Sequence, residues 1–132
     1  MHKATNKLLE YLDVIPTIHN KQQYITKAYN GIITLTGILN NPDKSVALIH
    51  FSNKEMYTDF HTHLKHETFI KISGEDIYFE IEGQGEKILT TSKPIYIPAN
   101  IPHRLTKTDG EMHGIVILVP GSNTFPKGVI NG

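Results

Sequence analysis

From about residue 23 the chain is a succession of short segments in which β-branched and aromatic residues recur with strand-like spacing. They are IITLTGIL (32–39), SVALIHF (45–51), MYTDFHTH (56–63), TFIKIS (68–73), DIYFEIEG (76–83), EKILTT (86–91), PIYIPA (94–99), HRLTKT (103–108) and HGIVILV (113–119). Asn40-Asn41-Pro42-Asp43, Ser73-Gly74-Glu75, Gly83-Gln84-Gly85 and Asp109-Gly110 separate them with residues that favour turns. Strands of this length, with a turn about every 8–12 residues, predict an all-β sandwich or barrel.

The first 15 residues follow a different period. Leu8, Leu12 and Ile15, with Tyr11, share one face of a short helix that Thr5 can cap and Pro16 ends. A helix so short needs something to dock on. The expected organisation is therefore a helical segment over 1–22 packing on a β body over 23–120, with a turn-rich tail over 121–132. No repeat, linker or low-complexity stretch divides it, and 132 residues suit one domain.

Composition removes several function classes. Thirteen basic and thirteen acidic side chains balance, which argues against bulk electrostatic binding of nucleic acid or a membrane surface. There is no cysteine, hence no disulfide framework, thiolate metal site or cysteine nucleophile. The N-terminus lacks the apolar core of a signal peptide, and the longest apolar run, 115–119, is far short of a membrane span. A soluble, cytoplasmic protein is the expectation. Histidine is the exception to an ordinary composition: there are eight, with His50, His61, His63 and His66 close together.

On a strand, residues two apart face the same way with backbones about 7 Å apart, so His61 and His63 can aim at one point. Glu67, at the start of the next strand, can reach that point from beside them, and Gly74 permits the turn that ends the strand. Ile97-Pro98-Ala99-Asn100-Ile101-Pro102 is a turn that delivers His103 onto a fresh strand, where it can face the other two histidines. Three imidazoles and a carboxylate suit a divalent first-row metal. His66 completes an alternative H-x-H-x-x-H set, but its parity places it outside. His50 reads as a hydrogen-bonded or surface residue, His113 could face the pocket, and His2 and His19 read as solvent residues.

These residues resemble the cupin superfamily over roughly 45–120, with the motif-bearing core at 55–107. His61, His63, Glu67 and Gly74 match the later positions of the first cupin motif, G-x5-H-x-H-x3-E-x6-G, with Glu55 where the motif has its leading Gly. Pro98 and His103 match the second, G-x5-P-x-G-x2-H-x3-N. Ser92, Asn100 and Lys107 replace its two Gly residues and its Asn. The resemblance implies a double-stranded β-helix, or jelly-roll barrel, holding Fe, Mn, Ni, Zn or a similar ion through His61, His63, Glu67 and His103. It also implies frequent homodimers.

Strand parity extends the reading. Tyr57 and Asp59 should face inward with the histidines, as should Phe69 and Lys71 with Glu67, and Leu105 and Lys107 with His103. Tyr57, Asp59 and Lys71 are the catalytic candidates, as groups able to move a proton or hold an anionic substrate. Met56, Phe60, Thr62, Ile70 and Ile72 take the outward parity and need cover from the N-terminal helix or a second copy, which points to a homodimer. The expected function is a metal-dependent enzyme of oxygenase, isomerase or lyase type on a small polar or anionic substrate. The alternative is a cupin that binds or senses a small molecule without turnover.

Overall fold

The computed structural model describes residues 23–121, and the expected N-terminal helix and most of the tail lie outside them. Nine strands form two antiparallel sheets, and no helix occurs among the described residues. The strands are β1 (Gln23–Ala28), β2 (Gly31–Asn40), β3 (Ser45–Phe51), β4 (His66–Gly74), β5 (Ile77–Ile81), β6 (Gly85–Leu89), β7 (Ile95–Ile97), β8 (His103–Thr108) and β9 (Met112–Val119). One sheet has the order β1-β2-β3-β9-β4-β7 and the other β6-β5-β8. Their facing sides bury Phe51, Phe69, Ile77, Phe79, Ile81, Leu105, Met112 and Val116 in one core, the main source of stability for such a fold.

The alternation in β3 and β9 shows how the sequence divides the faces. In β3, Ala47, Ile49 and Phe51 are buried inward while Val46, Leu48 and His50 are only half-buried on the other side. On that outer face Val46, Leu48, Ile70, Ile72 and Ile117 pack around Ile38 and Ile115. The turns use the residues the sequence offers. Asn41 Oδ1 accepts bonds from the amides of Asp43 and Lys44, and Gly83 and Gly85 take positive φ between β5 and β6.

Two expectations need correction. QYITKA (23–28) lies outside the segments that the sequence predicts as strands, yet it pairs along its whole length with β2. Conversely, MYTDFHTH (56–63) is no regular strand. It runs beside β8 and touches it intermittently, through Glu55 N–H to the Thr108 carbonyl (2.7 Å), Thr58 N–H to the Leu105 carbonyl (2.9 Å) and a reciprocal pair between His61 and His103 (2.9 and 3.0 Å). Glu55 has a φ of 63°, so the chain there turns where only glycine is unstrained. Strict alternation therefore fails across the segment: Met56, expected outside, is fully buried, and Tyr57, expected inside, is 43% exposed.

Candidate metal centre

The reciprocal backbone bonds between His61 and His103 place their side chains next to one another, with ring centroids 4.4 Å apart. His63, two residues on, lies 5.0 Å from His61 and 5.4 Å from His103 by the same measure. Its carbonyl accepts the Asn100 amide at 2.7 Å, which ties the segment to the turn before β8. Asn100 makes that turn at a φ of 63°, in keeping with its place where the second motif has glycine. One nitrogen from each of the three rings lies within 4.8 Å of the others.

Two of the rings are held in a defined orientation. His61 Nδ1 bonds the Asp59 carbonyl at 2.8 Å and His103 Nδ1 the Ile101 carbonyl at 2.9 Å. A carbonyl can only accept, so Nδ1 carries the proton and each Nε2 is left as the lone-pair donor. That is the usual second-sphere arrangement of metal-binding histidines.

Glu67 reaches the cluster from β4. Its Oε1 lies 3.3 Å from His103 Nε2 and 3.9 Å from His63 Nε2. That oxygen is fully buried and makes no well-aligned hydrogen bond. A buried carboxylate oxygen is costly to leave in that state, and a cation among the three imidazoles would satisfy it. The four residues therefore fit a divalent ion.

The ring environments differ. Burial pushes the His61 imidazole below its ordinary pKa, and the neighbouring His103 and His63 add to the effect. Burial acts on His103 in the same direction, but the Glu67 carboxylate and the Ile101 carbonyl outweigh it and hold its pKa above the ordinary value.

The cluster lines a cavity of about 350 Å³ between the two sheets. Ten of its nineteen lining residues are apolar, among them Leu35, Ile49, Phe51, Phe69, Phe79 and Leu118, so the interior is more apolar than a purely polar substrate would require. Tyr24, Thr26 and Lys27, all from β1, also line it, as do Thr58 and Asp59. Sequence reasoning missed the β1 contribution; the alternation of Tyr24 and Thr26 with Ile25, which is 59% exposed, was the available signal.

The catalytic candidates separate. Asp59 lines the cavity and accepts the Tyr29 hydroxyl at 3.1 Å, a bond that raises the Tyr29 pKa and keeps the proton on the phenol. Tyr57 does not line it; its ring stacks on Tyr29 at 4.6 Å on the surface. Lys71 is buried on β4 as its parity predicts, but its Nζ bonds Asp76 Oδ1 at 2.9 Å and it too is absent from the lining. Lys107 is half-exposed, paired with Asp109 at 3.3 Å and set over the Tyr78 ring. A register shift between Tyr78 and Phe79 inserts an extra residue into β8 and reverses the facing of everything after Leu105.

Lys71 makes a direct prediction. Replacing it with methionine should leave metal and ligand affinity within about twofold and change stability by less than about 1 kcal/mol, because methionine fills the buried stem's place without a charge to desolvate and Asp76, 40% exposed, stays solvated. Asp76→Ala, which strands the ammonium, should destabilise by about 1–3 kcal/mol in urea unfolding. A loss of ligand binding in Lys71→Met with unchanged stability would return Lys71 to the site.

The other histidines among the described residues lie outside the cavity, and His2 and His19 fall outside those residues. His66 is exposed, its Nδ1 bonded by the Tyr96 hydroxyl (2.9 Å) and the Ala99 amide (3.0 Å). His50 and His113 stack on one another at 4.4 Å on the outer face of the larger sheet.

No family model matches the sequence, and no curated protein is found to resemble it. Solved structures do match by shape. An RmlC-like cupin from Shewanella frigidimarina NCIMB 400 superposes with a TM-score of 0.60 at 18% identity, over 79% of this chain and 89% of that one. The EutQ protein of Clostridium difficile gives 0.60 at 14% identity, over 73% and 75%. The DMSP lyase DddQ from Ruegeria pomeroyi DSS-3 gives 0.55 at 20% identity, over 64% of this chain. The matches with DMSP lyases cover less than half of those chains' length, 42% and 47%. No helix among the described residues is long and apolar enough to cross a membrane. Two antiparallel sheets enclosing a His-x-His, Glu and His cluster, superposing on cupin structures over 66% and 79% of the chain, give the chain its identity at the level of architecture: it has the cupin fold.

Proposed function

We propose that the chain holds a divalent transition metal through His61, His63, Glu67 and His103 and presents it to a small molecule in the cavity, as a metal-dependent enzyme. The observation that carries this reading is the buried, unsatisfied Oε1 of Glu67 among three convergent imidazoles. A divalent ion there would supply a Lewis acid and a template for a polar group of the bound molecule.

The chain's own residues define the rest. The carbonyls of Asp59 and Ile101 fix the rings of His61 and His103, so the donor atoms need no reorganisation. The apolar wall excludes water from the ligand and selects a molecule with an apolar portion, which narrows the expected small polar or anionic substrate to an amphipathic one. Lys27 supplies an amine at the lining for an acidic group, and Asp59 brings a carboxylate to the same lining as the general acid–base candidate for the bound molecule. Oxygenase, isomerase and lyase chemistries are all compatible with this set. Proteins of similar shape include lyases, which supports the enzymatic reading.

The test is elemental analysis of protein purified without a histidine tag and dialysed against metal-free buffer. About one ion of iron, manganese, nickel or zinc per chain is expected to remain. No retained metal, even after incubation with each ion, would overturn the proposal.

The apolar wall favours one second reading, a cupin that binds a small molecule without turning it over. A metal-loaded protein that binds amphipathic acids but leaves them unchanged over long incubation would decide for it.

A further inference from the structure

A second group of donors lies on the opposite side of the larger sheet from the cavity. β3 and β9 pair antiparallel with His50 directly opposite His113, and both belong to the outward-facing set of their strands. Their rings stack nearly parallel, centroids 4.4 Å apart and planes 20° from one another. Glu111, one residue before β9 begins, turns its carboxylate toward both. Oε2 lies 2.9 Å from His50 Nε2, and Oε1 lies 3.5 Å from His113 Nε2. One donor atom from each of the three residues lies within 4.8 Å of the others.

We propose that His50, His113 and Glu111 form a second, surface metal site, selective for Zn²⁺, Cu²⁺ or Ni²⁺ over Ca²⁺ and Mg²⁺. The spacing supports it. Donors about 2.0–2.1 Å from a tetrahedral ion lie about 3.3 Å from one another. Each ring nitrogen has its own Glu111 oxygen at about that distance, 2.9 and 3.5 Å. A single donor atom from each of the three residues lies within 4.8 Å of the others, close enough for small side-chain rotations to close on an ion. Two imidazoles and one carboxylate are borderline donors, which suit these ions and not the oxygen-seeking ones.

The backbone fixes the arrangement. Cross-strand neighbours on one sheet face keep their Cβ atoms about 5 Å apart, so the two imidazoles cannot drift out of register without breaking the β3–β9 ladder. The Glu111 carbonyl accepts the Glu75 amide at 2.9 Å, which anchors the carboxylate's residue to the β4–β5 turn. All three side chains are one-third to three-fifths exposed, so an ion can enter without opening the fold and water can complete its coordination. The site shares no residue with the cavity cluster.

Titration calorimetry with Zn²⁺ tests this on His61→Ala/His103→Ala protein, in which the cavity cluster is dismantled. One ion per chain should bind with micromolar affinity, and adding His113→Ala should weaken that at least tenfold. Cu²⁺ on the same proteins should show nitrogen hyperfine splitting from two imidazoles, falling to one in the His113→Ala background. Should the cavity-depleted protein be unfolded, the wild type serves: one weaker Zn²⁺ ion per chain should bind whether or not the cavity is already filled, and His50→Ala should remove that ion and leave any tighter class unchanged. Binding that His50→Ala and His113→Ala leave unchanged, or that needs millimolar ion, would overturn the site. Neither result depends on whether the cavity retains metal on dialysis, so failure of one site is distinguishable from failure of the other.

Discussion

His103→Ala is expected to lose the cavity metal while keeping the barrel. His103 is only 2% exposed, its Nε2 faces Glu67, and its backbone forms the reciprocal bridge that sets His61 beside it. The substitution keeps the bridge, since those bonds are made by main-chain atoms, but it removes a donor and leaves Glu67 without its nearest counterpart. Metal affinity should fall by more than about 100-fold, beyond what loss of a supporting hydrogen bond costs. Circular dichroism should remain that of an all-β protein, with stability reduced by about 1–3 kcal/mol through the small cavity left behind. His66→Ala is the matched control, because His66 is three residues from His63 yet bonded to Tyr96 and Ala99 on the outside. Metal retained at full stoichiometry by His103→Ala, or lost by His66→Ala, would refute the ligand assignment.

Gly74→Ala should give the largest loss of stability among single substitutions in the motif. Gly74 ends β4 at a φ of 97°, a region that residues with a Cβ rarely enter. A Cβ there would stand 2.3 Å from the Glu111 carbonyl oxygen and 2.8 Å from the Met112 Cα, both main-chain atoms of the adjoining turn and strand. Neither can move without opening the β4–β9 pairing, which runs to Gly74 and Met112. Strain and overlap together should cost at least about 3 kcal/mol, measured as a lowered urea midpoint or as failure to fold. A midpoint within error of the wild type would show that the turn does not have this conformation. By contrast, Gly83→Ala meets no neighbouring atom and bears only the backbone cost of a φ of 81°, so its effect should be the smaller.

These two residues mark how far the sequence could be read. Gly74 and His103 were legible because their roles are local: a turn needs φ above zero, and a histidine following a two-proline turn starts a new strand. The same holds for the pairing of His61 with His63, which depends only on a spacing of two. Eight of the nine strands likewise follow from segments a few residues long whose residue types fit a pleated, half-buried surface.

Tyr57, Lys71 and Lys107 were not legible in the same way. Their assignment extended parity along a chain that in fact breaks its alternation, at the irregular 56–63 segment and at the register shift between Tyr78 and Phe79. A second shift lies between Lys71 and Ser73. One inserted residue reverses every side chain beyond it, and whether an insertion occurs is decided by the partner strand. Lys71 kept its parity and still missed the cavity, because Asp76, five residues on across the turn, offers its ammonium a closer partner.

What the sequence determined by itself was thus the set of short strands, most of the turns between them and, at fixed local spacing, the His61–His63 pair with Glu67 close behind, donors of the kind that could hold a metal. The tertiary structure alone decided that β1 would bring Tyr24 and Lys27 to the cavity, that the wall would be chiefly apolar, and that His50 would meet Glu111, 61 residues away. The physical reason is the same in each case. Strand propensity and turn chemistry act within a few residues, whereas register between distant strands is chosen by burying both sheets' apolar faces at once, and only that choice fixes which side chains share a site.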